Sequence, residues 1–153
     1  MTRVGSDGLT VVTNALPVTM MLMGQTCVRV VSTGGILDAP SHSWIGSFAE
    51  RTLNRVNINM LFLSSKGVDL ARGLSEIDDA QARVKRHMID LAEKVVLLVD
   101  HSKFGERSAV HLAELGEMDV IITDAGVAPA TLERLRDLDV AVEVAASNDE
   151  ESR

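Results

Sequence analysis

The 153-residue sequence is poor in aromatic residues and in cysteine. Aromatic residues make up 3% of the chain and tyrosine is absent, so the core must consist of Leu, Val, Ile, Ala and Met. The single cysteine, Cys27, cannot form an internal disulfide, which is typical of proteins of a reducing cytoplasm. No apolar run approaches the roughly 20 residues of a membrane helix, and the first residues lack the apolar stretch of a signal peptide. We therefore expect a cytoplasmic protein that makes no membrane contact.

Positive charge is also scarce, because the formal net charge is −7 and no block of lysine and arginine occurs. A protein that grips DNA neutralises phosphates with clustered positive charge. The composition therefore predicts that this chain alone makes no contact with DNA.

The usual motifs for metals and nucleotides are missing as well. The four histidines and Cys27 show neither H-x-x-x-H nor C-x-x-C spacing. No glycine-rich dinucleotide fingerprint follows the first predicted strand, and no P-loop motif occurs. The sequence thus predicts no metal and no cofactor.

Short apolar runs rich in β-branched residues alternate with helical patterns along the chain. The predicted strands are Leu9–Thr13, Val28–Ser32, Met60–Ser64, Val95–Val99, Val120–Thr123 and Val140–Val144. They lack a clean in-and-out alternation, which is typical of strands covered on both faces. Six strands with a helix in each interval predict a single-domain α/β fold, with a mainly parallel Rossmann-like sheet and helices on both faces.

The helix signals lie between these strands. The predicted helices are Ala15–Met23, a stripe at Ala49, Leu53 and Val56, a stripe from Ala80 to Ala92, and a helix that begins at Pro129. Ser75-Glu76-Ile77-Asp78 resembles a capping box ahead of the third helix, and Asp79 adds favourable charge in its first turn. We expect the domain to span residues 9–146 and residues 147–153 to form a polar tail.

Polar residues collect where four predicted strands end. The candidate binding residues are Thr13, Asn14, Gly34, Gly35, Ser64, Lys66, Gly67, Asp69, Asp100, Ser102 and Lys103, together with Lys85 on the polar side of the third helix. Ligands of open α/β sheets bind at the carboxyl ends of the strands. Lysines and backbone amides suit a phosphate, whereas aspartate and asparagine suit sugar hydroxyls. The set therefore predicts a site for a small polyhydroxylated anion.

Each candidate also has an ordinary structural explanation. Aspartate and serine after a strand are common loop formers and caps. Gly34-Gly35 is compatible with a plain turn, Lys103 with a solvated lysine, and Arg86 with a solvated helix face. The argument for a site therefore depends on the combination of four strand ends.

Five segments of the sequence resemble one known family. They are "VVTNALPV" (11–18), "VRVVSTGGILDAPSHSWIGSFAERTL" (28–53), "MLFLSSKGVDLARGLSEIDDAQARVKRHMI" (60–89), "VVLLVDHSKFG" (95–105) and "DVIITDAGV" (119–127). In order and spacing they are similar to the C-terminal effector-sensing domain of DeoR-family transcriptional regulators, over residues ~9 to ~145. The D-x-S-K of Asp100, Ser102 and Lys103 resembles a motif that this family shares with phosphosugar isomerases.

The resemblance implies a fold similar to ribose phosphate isomerase and glucosamine phosphate isomerase, whose strand ends bind the phosphosugar. It implies a homo-oligomer that senses a phosphorylated sugar and, when joined to a DNA-binding domain, controls sugar-metabolism genes. Relatives usually carry an N-terminal helix-turn-helix, which we do not find in this sequence. Their sensor domain normally begins with one more β-α unit, whose loop holds the phosphate. We expect that unit to be missing, since "MTRVGSDG" is too short to supply it.

The same fold also raises the alternative of an enzyme. Isomerisation needs a carboxylate base, and Asp69, Glu76, Asp78 and Asp100 are the carboxylates near the strand ends. The isomerases of this fold carry an Asp-Gly-Ala-Asp type of turn where this chain has Ser65-Lys66-Gly67-Val68-Asp69. Because a lysine stands where the first acid is expected, we expect a sensor rather than an enzyme. An isomerase-like enzyme and a vestigial domain that only makes interactions are the alternatives.

Overall fold

A computed structural model describes residues 8–138 and 140–146. Their strands are β1 (Leu9–Thr13), β2 (Val28–Ser32), β3 (Ile36–Asp38), β4 (Ser43–Ile45), β5 (Leu61–Leu63), β6 (Gly67–Asp69), β7 (Gly73–Glu76), β8 (Val95–Leu98), β9 (Val110–Ala113), β10 (Val120–Asp124) and β11 (Ala141–Ala145). Their α-helices are α1 (Leu16–Leu22), α2 (Ser47–Leu53), α3 (Asp79–Leu91) and α4 (Pro129–Arg136). The chain divides into two compact units, Met1–Val56 and Asn57–Arg153, a division that the sequence pattern does not predict. The predicted polar tail at 147–153 lies outside the described residues.

The first unit contains a parallel strand pair and an antiparallel hairpin. Strands β1 and β2 pair in parallel, as predicted, with α1 between them in the chain. Strands β3 and β4 pair antiparallel and lead into α2, whose Ala49 and Leu53 are buried. Gly35 has a φ of 119°, and a Cβ there would lie 2.6 Å from the carbonyl oxygen of Ile45. A glycine is therefore required at the entry to this hairpin.

The second unit is built on a four-stranded parallel sheet. The strand order is β11-β10-β8-β5, and every neighbouring pair is parallel. Val95, Val96 and Leu97 of β8 are all buried, as expected for a strand covered on both faces. The prediction of an α/β fold with a mainly parallel sheet is confirmed, whereas the placement of helices on both faces stays a prediction.

A second sheet in this unit was not anticipated from the sequence. Strands β6, β7 and β9 form an antiparallel sheet in that order, and β9 occupies the interval where the alternation predicts a helix. Residues 99–119, all of which the structure describes, contain no α-helix but two 3₁₀ turns, His101–Lys103 and Leu115–Glu117. The predicted helix is wrong because the short run Val110–Ala113 pairs with β7, and glycine residues interrupt the chain on either side of it.

The start of α3 also differs from the prediction. Ser75 and Glu76 belong to β7 and are buried, so they do not form a capping box. Asp78 is the N-cap instead, and its Oδ1 accepts a hydrogen bond of 2.9 Å from the backbone N–H of Gln81. Asp79 does lie in the first turn, as predicted, and Pro129 does begin α4.

Within residues 8–138 and 140–146, no helix combines the length and apolar character that a membrane span requires.

Candidate functional site

A pocket of about 200 Å³ lies in the second unit, where β5 and β8 end. Its lining residues are Ser64, Ser65, Lys66, Lys85, Leu98, Val99, Asp100 and Lys103. The structure therefore brings together five of the predicted candidates, namely Ser64, Lys66, Lys85, Asp100 and Lys103. Three of these carry an ammonium group, in a chain with a formal net charge of −7.

Lys85 is anchored from two sides. Its Nζ donates a hydrogen bond of 2.8 Å to the carbonyl oxygen of Ser64, and it forms an ion pair with Oε1 of Glu76. The Glu76 side chain is only 2% exposed, and that of Lys85 is 18% exposed. This pair links α3, β7 and the end of β5, and it fixes one ammonium group at the pocket wall. From the sequence, Glu76 is predicted as part of a capping box and as a carboxylate near the strand ends, and nothing in the sequence indicates this contact.

Asp100 closes a turn as well as lining the pocket. Its Oδ1 accepts a hydrogen bond of 2.9 Å from the backbone N–H of Ser102. Hydrogen bonds from the side chain and the backbone of Ser102 lower the pKa of Asp100 below its ordinary value, and the charge of Lys103 lowers it further. Ser102 therefore supports the turn and does not line the pocket, whereas the turn places Lys103 at the rim.

His101 attaches this turn to the end of β10. The backbone N–H of His101 donates to Oδ2 of Asp124 at 2.9 Å, and that of Gly126 donates to Oδ1 at 2.7 Å. The ring Nδ1 of His101 lies 2.8 Å from Oδ1 of Asp124. These hydrogen bonds, with the backbone bond from His101 first among them, lower the pKa of Asp124. Asp124 is the last residue of β10 and directly follows the predicted strand Val120–Thr123, and no pattern in the sequence singles it out as a site residue.

Asp100, His101 and Asp124 each place one possible metal ligand within 4.8 Å of the others. Both oxygens of Asp124 already accept N–H groups of the loop, as does Oδ1 of Asp100. The hydrogen bonds of the two turns therefore account for this cluster.

We expect the stability of the second unit to fall as the pH drops below about 4. Since Asp100 and Asp124 have lowered pKa values in the folded chain, the unfolded chain binds protons more readily. Their stabilisation is present above the unfolded pKa and is lost as the pH falls through the folded pKa. Asp124→Asn cannot ionise, so its free energy of unfolding should vary less between about pH 5 and pH 3.

Urea unfolding at several pH values measures this effect. Asp137→Asn is the matched control, because that exposed aspartate has no side-chain bond to another described residue. Identical pH profiles for the wild-type chain and for Asp124→Asn would contradict the prediction.

Besides Ser102, two of the predicted candidates in the second unit lie outside the pocket. Gly67 is buried in β6, and a Cβ there would collide with the carbonyl oxygen of Glu106, so packing of the chain itself demands the glycine. Asp69 accepts a hydrogen bond of 2.6 Å from Nε of Arg107, which lowers the pKa of Asp69 together with backbone N–H groups of its own turn. Asp69 lines a different cavity, described below.

Thr13, Asn14, Gly34 and Gly35 belong to the first unit. Oγ1 of Thr13 accepts a hydrogen bond from the backbone N–H of Ala15, and Nδ2 of Asn14 donates to the carbonyl oxygen of Trp44. These bonds shape the loops of that unit. The contribution of these residues to a ligand site stays a prediction.

Comparison with known proteins places this chain in a family. A family model described as "DeoR C terminal sensor domain" matches residues 3–125. The uncharacterized HTH-type transcriptional regulator YulB of Bacillus subtilis is 40% identical over 134 residues, which is 88% of this chain and 52% of the relative. The putative aga operon transcriptional repressor of Escherichia coli O157:H7 is 35% identical over 130 residues, 85% of this chain and 48% of the relative.

A third relative is the glycerol-3-phosphate regulon repressor of Escherichia coli K12, which is 30% identical over 138 residues, 90% of this chain and 55% of the relative. The chain thus spans about half the length of the curated relatives it matches. Family model and relatives agree with the resemblance found in the sequence: the chain belongs to the DeoR family of transcriptional regulators, in the part that forms their C-terminal sensor domain.

Proposed function

We propose that this chain is the effector-binding part of a DeoR-family regulator and that its effector is a phosphorylated sugar. The observation that carries the proposal is the pocket in the second unit, where Lys66, Lys85 and Lys103 converge with Asp100 at the strand ends. Lysines compensate the charge of a phosphate, and a carboxylate accepts hydrogen bonds from hydroxyls. A small polyhydroxylated anion needs both kinds of group.

The contacts of the lysines suggest different roles for them. Lys85 is committed to Glu76 and to the carbonyl oxygen of Ser64, so it shapes the pocket wall. Neither Lys66 nor Lys103 forms an ion pair with another described residue. We assign the phosphate to Lys66 and Lys103 and the sugar hydroxyls to Asp100 and Ser64.

The named functions of the relatives support this choice of effector. One relative is a glycerol-3-phosphate regulon repressor, one a putative aga operon repressor and one an L-fucose operon activator. By analogy, this chain would act in the cytoplasm as a homo-oligomer and would control sugar-metabolism genes when joined to a DNA-binding domain. The acidic chain alone would make no contact with DNA.

An isomerase-like enzyme is the second candidate, and the contacts of the acids disfavour it. Asp69 lies outside the pocket and is held by Arg107, and Asp100 is held by Ser102. Asp69 is therefore not placed to act as the base that isomerisation needs, and the lowered pKa of Asp100 makes that carboxylate a weak base. We propose that the chain binds its phosphosugar without turnover. A coupled assay for interconversion of aldose and ketose phosphates separates the two candidates, because only an enzyme yields the second sugar.

The central test is Lys103→Ala. A hydrogen bond to a charged group contributes about 1.5–3 kcal/mol, so affinity for the phosphosugar should fall roughly tenfold to a hundredfold. The melting temperature should hardly change, since a rim lysine carries little folding energy. Calorimetry of the purified chain with ribose 5-phosphate, fructose 6-phosphate, glucosamine 6-phosphate and glycerol 3-phosphate gives the affinity.

Lys94→Ala is the matched control, because Lys94 is exposed and does not line the pocket. Its affinity should equal that of the unmodified chain. If Lys103→Ala lowers the melting temperature and leaves the affinity intact, the lysine is structural and the assignment fails.

A further inference from the structure

A second cavity, of about 400 Å³, lies in the second unit and shares no lining residue with the first. Three segments form it: the turn between β6 and β7, the loop after Lys103, and α4. Its lining residues are Asp69, Leu70, Ala71, Phe104, Gly105, Arg107, Thr131 and Arg134. The volume lies within the range of small-molecule sites, roughly 300–1,000 Å³.

The chain supplies hydrogen-bond acceptors for only some of the guanidinium N–H groups of Arg107 and Arg134 in this cavity. Nε of Arg107 donates to Oδ2 of Asp69 at 2.6 Å, while Oδ1 of Asp69 accepts the backbone N–H groups of Ala71 and Arg72 at 2.9 and 3.0 Å. Both carboxylate oxygens of Asp69 thus accept hydrogen bonds, and Asp69 binds the Arg107 guanidinium through Nε alone. Within the described residues, the terminal amino groups of Arg107 have no partner, and neither has the guanidinium of Arg134.

The other walls suit a ligand with a carbon skeleton. Leu70 and Phe104 are half-buried and present apolar surface, and Thr131 offers a hydroxyl. Two guanidiniums against one carboxylate leave the cavity with net positive charge, in a chain with a formal net charge of −7. Guanidiniums bind carboxylates and phosphates through paired N–H donors.

We propose that this cavity is a second ligand site, which takes a small organic anion bearing a carboxylate or a phosphate. Arg107 and Arg134 hold the anionic group, and the carbon skeleton lies against Phe104 and Leu70. Asp69 is a positioning residue, because it fixes the plane of the Arg107 guanidinium. The site is separate from the proposed phosphosugar pocket and does not depend on it.

Nuclear magnetic resonance of the isotope-labelled full chain tests this proposal. Glycerol 3-phosphate and succinate serve as probes, titrated separately at constant ionic strength. We expect saturable shifts of the Arg107 and Arg134 side-chain N–H signals and of the amides of residues 69–71 and 104–107. Saturation by either probe supports the site, and the probe that saturates it identifies the anionic group.

Two variants make the test specific. Arg134→Gln should weaken binding at least tenfold, whereas Arg136→Gln, on the same helix but outside the cavity, should leave it unchanged. The shifts should also persist in Lys103→Ala, which alters only the first pocket, so failure of one site is distinguishable from failure of the other. Shifts that do not saturate, that survive Arg134→Gln, or that vanish in Lys103→Ala would overturn the proposal.

Discussion

Replacing Glu76 by alanine should lower the free energy of unfolding by about 3–5 kcal/mol. The Glu76 side chain is 2% exposed and forms an ion pair with Lys85, which is 18% exposed. Removing the carboxylate leaves the ammonium group of Lys85 largely buried with only the carbonyl oxygen of Ser64 as its partner. An uncompensated buried charge costs far more than the pair itself contributes. Urea unfolding of the purified chain measures the change.

A double-mutant cycle shows whether loss of the Glu76–Lys85 ion pair causes this destabilisation. Glu76→Gln and Lys85→Met should each destabilise the chain, and the combined variant should lose less than the sum of the two. Asp90→Ala is the matched control, because Asp90 also pairs with a cation but is 55% exposed, and it should cost at most about 1 kcal/mol. Equal costs for Glu76→Ala and Asp90→Ala would refute the prediction.

The second large effect is expected for Gly73→Ala, which should destabilise the chain by more than about 3 kcal/mol. Gly73 has a φ of 76°, where a side chain costs roughly 1–2 kcal/mol. In addition, a Cβ there would collide with the carbonyl oxygen of Ala113, which is backbone of β9 and cannot rotate away. Strands β7 and β9 would have to separate. Thermal and urea unfolding both measure the loss.

Substitutions at two other glycines separate the cost of the positive φ from the cost of the steric collision. Gly105 has a φ of 86° but nothing within 4 Å of a Cβ, so Gly105→Ala should show the backbone cost alone. Gly116 has neither a positive φ nor a neighbour within 4 Å, so Gly116→Ala should be close to neutral. If Gly73→Ala lowers the free energy of unfolding no more than Gly105→Ala does, β9 shifts without cost and the steric collision does not contribute to the destabilisation.

The central strands of the parallel sheet could be predicted because a buried strand requires an apolar composition. A strand covered on both faces needs a run of apolar, β-branched residues, and Val95-Val96-Leu97-Leu98 and Val120-Ile121-Ile122 are such runs. Strands β6, β7 and β9 could not be predicted in this way. Strands β6 and β7 contain glycine, serine and acidic residues, and β9 is a four-residue run that pairs with a segment far away in the chain.

The candidate site could likewise be predicted only in part from the sequence. Ser64, Lys66, Asp100 and Lys103 could be predicted to lie together because parallel strands end at one edge of a sheet. The role of Glu76 could not, since an acidic residue is ordinarily exposed and its partner lies nine positions away in another element. Arg86, expected on a solvated helix face, is partly exposed and pairs with Asp90 one helical turn away, but no local pattern indicates its second ion pair, with Glu117.

The strand order β11-β10-β8-β5 has a consequence for synthesis of the protein on the ribosome. Along this sheet the strands follow one another in chain order, so each new strand adds to the edge formed by the one before it. The sheet can therefore grow as the chain emerges, without waiting for a late segment to insert between strands already paired. Parallel pairing is slow because long loops must close first, and exposed strand edges invite aggregation during that time. When the sheet grows in one direction, each new strand pairs with the strand added just before it, so only that strand's free edge has to stay exposed until the next strand is synthesised.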